Sequence, residues 1–515
     1  MPSAADIIFL ALVAVLLFTS LSVRLLGDAG IGWHIRTGQQ ILTTHSIPHV
    51  DPFSSTMGGN PGPARQWFAW EWLYDLFVGQ LEAMLGLNGV VWLTAAVIAV
   101  VFAAMFRLLV LSGVNLLVAV ILVLLATGAS TIHFLARPHV LSWLFALAWF
   151  WILDSSEYEC VRDDRPAAAQ SPNQRQLWLL PLLMLVWVNV HGGFLLGFVL
   201  LAIYWLGAVW EWLRTSRDRL EDLLHRAATR RRATHLIYIG LLSAAASLAN
   251  PYGWKLHEHV YAYLSNRFLM DHIEEFQSPN FHGVAQKCFL LLLLIALATL
   301  AARGRHLRLS QVLTVLFAVY AGLDASRNIP VSSVLLVMII APLLTLKSLD
   351  WPILRRMAAV ETGLHGHVWA IVAVVATFCV AANGGRVGSR PLMDAHFDPQ
   401  RMPVAAVDEL QELSVAGPIL SPDFWGGYLI YRLYPATRVV VDDRHDFYGD
   451  EFFKSYLKFV HGEPGWQDFL AKHDAGCIVV PSNATLATLL PLTDRWRAIY
   501  ADPVATIFVR DRALR

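Results

Sequence analysis

Eleven apolar stretches constrain this chain more than any other feature. They run from Ile7 to Leu26 and then over 88–106, 114–132, 140–153, 177–190, 194–213, 236–250, 288–302, 311–324, 331–346 and 367–383. A helix needs about 20 apolar residues to cross roughly 30 Å of hydrocarbon, so the shorter stretches must extend into flanking polar residues. The first stretch is too long for the core of a cleavable signal and reads as a membrane helix. Composition agrees. Hydrophobic residues make up 56% of the chain and charged residues 15%, where an average soluble protein carries about 25% charged residues. A soluble globular enzyme, a disordered protein and a disulfide scaffold are excluded. The net charge of +0 gives no field for nucleic acid. Cys160, Cys288, Cys379 and Cys477 are widely spaced, so neither a C-x2-C metal site nor a structural disulfide is expected.

Lys and Arg set the expected sidedness. With the N-terminus inside, the cytoplasmic connections lie near 107–113, 154–176, 214–235, 303–310 and 347–366, and hold about seventeen Lys and Arg. The opposite connections hold about seven over a greater length. The basic segment 214–235 reads as a topology determinant against anionic lipid. An odd number of spans then puts the C-terminus outside the bacterial inner (plasma) membrane, in the periplasm of a Gram-negative cell envelope.

From about residue 385 the character changes. Short β-rich runs appear at Pro418–Leu420, Arg438–Val441 and Cys477–Val480, and Glu451 to Val460 has helical spacing. The expected fold is an all-α polytopic membrane domain of about eleven transmembrane helices over 1–384. A soluble, extracytoplasmic α/β domain follows over 385–515.

The unusual polar residues cluster at the external ends of the spans. The first external loop carries Asp28, His34, Arg36 and Asp51, and then Glu71 within Trp67 to Leu73, which reads as an interfacial amphipathic helix. Later edges carry Arg137 and His139, His191 before two glycines, His257, and Arg327. Ionisable groups at membrane depth are costly and tend to face a protein-lined cavity. These edges converge on one external cavity if the helices bundle. Carboxylate, imidazole, guanidinium and aromatic groups together suit a lipid-linked sugar phosphate: cations for the phosphate, a carboxylate for an acceptor hydroxyl, aromatic faces for the sugar. The histidines lack zinc spacing. The run Asp442-Asp443-Arg444-His445-Asp446 follows a strand-like segment and reads chiefly as the cap of a buried turn.

The order GDAGIGWHIRTGQQIL, IPHVDPFSST, EWL, ARPHVLS, WVNVHGGFLLG, NPYGWKLH, SRNIP and VVVDDRHDFYG, spread over about residues 20 to 465, resembles bacterial membrane proteins related to the GT-C glycosyltransferases. The resemblance implies a polyprenyl-phosphate-linked sugar as donor and an acidic residue just after the first span as catalytic base or metal holder. Asp28 stands at that place. Ala29 follows it, where many members have a second acidic residue.

The expected function is therefore a membrane glycosyltransferase moving a sugar to a glycan, lipid or protein acceptor on the external face. Asp28 and Asp51 are its candidate catalytic residues. His34, Arg36, Glu71, Arg137, His139, His191, His257 and Arg327 are candidate substrate contacts. No cofactor is required by the sequence, and the resemblance leaves room for a divalent metal ion. Membrane lipid is a partner and nucleic acid is not. Two alternatives stand beside it. A transporter or flippase of a lipid-linked solute predicts inverted repeats and mid-membrane charges. A non-catalytic scaffold predicts that charge-neutral changes at Asp28 are silent.

Overall fold

The computed structural model describes residues 2–57, 65–162, 175–216, 218–344, 351–363, 367–413, 417–493 and 495–510. Each apolar stretch carries a helix, and the starts are encoded locally. Ser3 caps Ala4–Phe18 and exchanges hydrogen bonds with Asp6, and the Asn115 side chain caps Leu116–Ser130. Among the described residues, five helical segments are long and apolar enough to cross a membrane by length and composition. They are Leu87–Leu111, Leu116–His133, Gly192–Arg214, Val284–His306 and Ser326–Leu343. Ala4–Phe18 and Leu309–Asp324 are apolar but shorter.

The bundle is built around two central helices. Leu87–Leu111 buries Val90, Ile98, Phe102, Met105 and Phe106, and packs along Ala4–Phe18. Ile329–Ile340 is buried at every residue except Val331, which is why it is apolar all round. Outer helices keep an exposed apolar stripe, as at Leu290, Leu291, Leu294 and Leu297, the surface expected of a lipid contact.

One end of the bundle is covered by the first loop and the C-terminal segment, folded together. Helix Ile31–Thr44 lies against Trp72–Leu85 on one side and Asp423–Leu433 on the other. The second contact needs glycine: a Cβ on Gly32 would stand 2.1 Å from the Gly427 carbonyl oxygen, and one on Gly427 would stand 2.2 Å from that of Ala29. Trp67 to Leu73 is not the interfacial helix the sequence suggests. The helix starts at Trp72, and Phe68 to Glu71 instead line a cavity.

The C-terminal sheet has Ile419–Leu420 parallel to Cys477–Pro481, which pairs antiparallel with Ala505–Arg510, itself antiparallel to Trp496–Ala501. Arg438–Val441 forms no regular strand. Val439 instead makes isolated parallel bridges to Ile419 and to Ser54. Its N–H reaches the Phe53 carbonyl at 3.1 Å, and its carbonyl accepts the Ser55 N–H at 2.8 Å. The first loop thus extends the edge of the C-terminal sheet.

Candidate functional site

Where the bundle meets this cap there is a cavity of about 2210 Å³. Part of its wall is apolar: Leu12 and Leu16 of the first helix, Leu21 and Leu25 of the short helix after it, and Phe317 and Val331. Its polar wall gathers Asp28, Glu71, Arg137, His139, His191 and Arg327 from five separate segments, and the C-terminal segment adds Asp443 to Asp446.

Arg137 is fixed by its backbone neighbour. The Ala136 N–H donates to the Leu25 carbonyl at 2.7 Å, which sets Arg137 beside the loop that follows the first helix. Its Nη1 then lies 3.5 Å from Asp28 Oδ1 and 2.9 Å from Asp443 Oδ2. Trp33 Nε1 donates to the other Asp443 oxygen at 3.0 Å. Asp28 Oδ1 also accepts the Gly30 N–H at 2.8 Å.

Glu71 is held by the residues after it. The Leu73 N–H donates to the Asn189 carbonyl at 3.2 Å, and Trp72 Nε1 to Asn189 Oδ1 at 2.7 Å. Asn189 in turn donates to the Ala249 carbonyl. This ties Glu71 to the turn that bears His191. Glu71 lies 3.7 Å from His34 Nε2 and 3.8 Å from His191 Nε2. Burial pushes its carboxyl up to about 7, against the opposing pull of Arg137. Burial, with the Asp28 and Asp442 charges, likewise raises Asp443 to about 6 despite Arg137.

Arg327 pairs with Glu275 at 3.1 Å and lies over the Phe276 ring at 4.4 Å. The His139 ring is engaged at Nε2 by the His133 carbonyl at 2.9 Å.

Four candidates lie outside the cavity lining. His34 is fully buried and bonded to Asp75 at 2.6 Å. Arg36 turns away and donates from Nε to the Tyr431 carbonyl at 2.9 Å, docking the C-terminal segment. Asp51 is buried, caps its own turn through the Phe53 and Ser54 N–H groups, and pairs with Arg444 at 2.9 Å. Arg444 also binds Asp442 at 2.5 Å and sits among Trp33, Phe53, Trp67 and Phe447. This arrangement makes Asp51 part of a buried structural pair. His257 stacks on Trp254 and meets Ser247 Oγ at 2.9 Å.

Asp75 and Glu275 are polar residues of this region that sequence reasoning missed, and Asp443, read there as part of a turn cap, reaches Arg137 instead. Asp75 had one available signal, since it lies one helical turn after Glu71. The residues present do not fit a divalent ion. Among the described residues, no three His, Cys, Asp or Glu side chains are grouped to hold one. The facing carboxylates of Asp28 and Asp443 are already bridged by a guanidinium.

No protein-family model matches the chain, and no curated protein is similar to it in sequence. Its fold is similar to that of the Archaeoglobus fulgidus oligosaccharyltransferase. The apo form aligns with a TM-score of 0.52 at 11% identity, over 99% of this chain and 74% of that one. The complex with Zn and sulfate aligns with a TM-score of 0.50 at 11% identity, over 98% and 73%. ArnT from Cupriavidus metallidurans, bound to undecaprenyl phosphate, aligns with a TM-score of 0.48 at 13% identity, over 98% and 97%. At such identities the likeness is one of fold. The chain has a GT-C-like fold.

Proposed function

We propose that the protein is an integral-membrane glycosyltransferase. It takes a sugar from a polyprenyl-phosphate donor and passes it to a glycan, lipid or protein acceptor on the outer face of a bacterial plasma membrane. One observation carries this: a single cavity joins an apolar wall on the membrane helices to charged groups that include Arg137, Arg327, Asp28 and Glu71. The apolar wall suits the polyprenyl chain. Arg137 and Arg327 suit the phosphate, whose charge grows as it leaves, and a fixed guanidinium stabilises that charge most where water is excluded. Asp28 has Oδ1 engaged by Gly30 and Arg137, which leaves Oδ2 to hold an acceptor hydroxyl. The residues from 385 onward form the roof. The Lys and Arg bias of an eleven-span arrangement puts that roof outside, away from the cytoplasmic pool of nucleotide sugars.

The test is turnover. Purified protein in lipid nanodiscs, given polyprenyl-phosphate-linked hexoses and envelope glycans, is expected to release polyprenyl phosphate. Arg137→Ala and Asp28→Asn should fold normally and lose release by about 100-fold or more. Undiminished release in both variants removes this cavity from the chemistry.

A further inference from the structure

Three side chains stand in a row under the cavity wall. Asp75 Oδ1 is 2.6 Å from His34 Nδ1, and His34 Nε2 is 3.7 Å from Glu71 Oε2. Asp75 and His34 have no exposed side-chain surface, and Glu71 keeps 14%. The imidazole cannot swing: it stacks on Trp33 with ring centroids 3.6 Å apart and meets the edge of Tyr74 at 5.3 Å. Its Nδ1 is committed to Asp75. Its Nε2 is buried with no hydrogen-bond partner, an arrangement a protein rarely keeps without a use.

On the other side of Glu71, His191 Nδ1 accepts the Gly193 N–H at 3.0 Å. A backbone N–H only donates, so a neutral His191 carries its proton on Nε2. That N–H faces Glu71 Oε1 at 3.8 Å. Glu71 therefore lies between two imidazoles, open to the cavity, with its carboxylate committed to neither. Asp28 differs, because its Oδ1 already accepts the Gly30 N–H and pairs with Arg137.

We infer that Glu71 takes the proton of the acceptor hydroxyl, and that His34, its ring fixed by Asp75, is a positioning residue packed behind it. The inference rests on the donor reading above. In the step, a lone pair of the acceptor oxygen forms the bond to the anomeric carbon. The bond from that carbon to the phosphate oxygen breaks, and its electron pair leaves on the phosphate. The hydroxyl proton passes to the Glu71 carboxylate and from there to water in the cavity. The charged groups acting on Glu71 are Arg137 and Arg327, which lower its pKa, and Asp446, which raises it. The Trp70 side chain also lowers it by hydrogen bonding, and burial outweighs all of these to leave it at about 7. That value suits a base working at neutral pH.

The test compares whole-protein kinetics on a polyprenyl-phosphate-linked hexose, reading release of polyprenyl phosphate, with binding of polyprenyl phosphate measured beside it by lipid mass spectrometry. In the wild type, kcat/KM should rise with pH through a midpoint near 7. Glu71→Gln should lose about 100-fold or more in kcat, keep KM and polyprenyl phosphate binding, and lose the pH rise. Glu71→Asp should recover part of the rate. Asp75→Asn should lower kcat about tenfold at unchanged KM and unchanged polyprenyl phosphate binding, since His34 Nδ1 loses the carboxyl partner that fixes its ring. If Glu71→Gln binds polyprenyl phosphate and keeps kcat within threefold, or keeps the pH rise, the proton goes elsewhere and only this assignment falls. If the wild type binds no polyprenyl phosphate, the donor reading falls and takes the assignment with it.

Discussion

Arg137 Nη1 lies 2.9 Å from Asp443 Oδ2, an ion pair between residues 306 positions apart. The C-terminal segment thus places a carboxylate on a cation of the membrane bundle. A phosphate approaching Arg137 competes with that carboxylate for the same N–H groups. Asp443→Asn is expected to tighten binding of polyprenyl phosphate three- to tenfold, as about 1 kcal/mol of lost competition implies. Titration of detergent-solubilised protein checks it, and weaker binding would mean that Asp443 supports the phosphate site.

Gly30 leaves the space in which this pair forms. A Cβ there would stand 1.5 Å from Arg137 Nη1 and 2.3 Å from Asp443 Oδ2. The Gly30 backbone is helical, with φ −58°, so alanine brings no backbone strain, and the atoms it displaces are the ends of side chains. Gly30 is buried, and the added methyl overpacks the pair, so Gly30→Ala should still fold with Tm lowered by a few degrees, since overpacking costs about 1–3 kcal/mol. It should lose at least tenfold in turnover as the guanidinium shifts.

Stability should depend on pH through Glu71. Its folded-state pKa is raised from 4.5 to about 7, first by burial. Ionising it therefore costs stability: the penalty is absent below about pH 4.5, grows as pH rises, and is complete above about 7. Glutamine carries no charge. Tm of Glu71→Gln should match wild type at pH 4.5 and exceed it by a few degrees at pH 8. A constant offset across that range contradicts the burial account.

Asp51→Ala should act on folding. Removing one partner of a buried ion pair costs about 3–5 kcal/mol, and the retained Asp51-independent contact of Arg444 to Asp442 places this at the lower end. Thermal unfolding and limited proteolysis of the C-terminal segment should both show the loss. A variant as stable as wild type but inactive would return Asp51 to the chemistry.

The helices are legible because each apolar stretch is set by local composition. Asp28, Glu71, Arg137, His191 and Arg327 are legible as a group because a polar residue at the end of a span is tied to one end of the bundle. What local sequence does not encode is which way a loop residue faces. His34 and Arg36 are two residues apart on one helix, and their fates follow from partners elsewhere: Asp75 for His34, and the Tyr431 carbonyl for Arg36. The acidic run 442–446 divides in the same way. Asp442 holds the buried Arg444 as a turn residue should, while its neighbour Asp443 reaches Arg137. Only the docking of the C-terminal segment, through the Gly32 and Gly427 contact, separates the two roles. Membrane span number is equally non-local, since Ala4–Phe18 and Leu309–Asp324 are too short to be counted by length alone.

The central claim is that the cavity receives a polyprenyl phosphate head on Arg137 and Arg327. Lipid mass spectrometry of the purified protein tests it most directly, with wild type beside Arg137→Ala and Arg327→Ala and each supplemented with polyprenyl phosphate. Wild type should retain polyprenyl phosphate or its sugar adduct, and both variants should lose it. Wild-type protein that retains no such lipid, or arginine variants that retain it as fully as wild type, would contradict the claim.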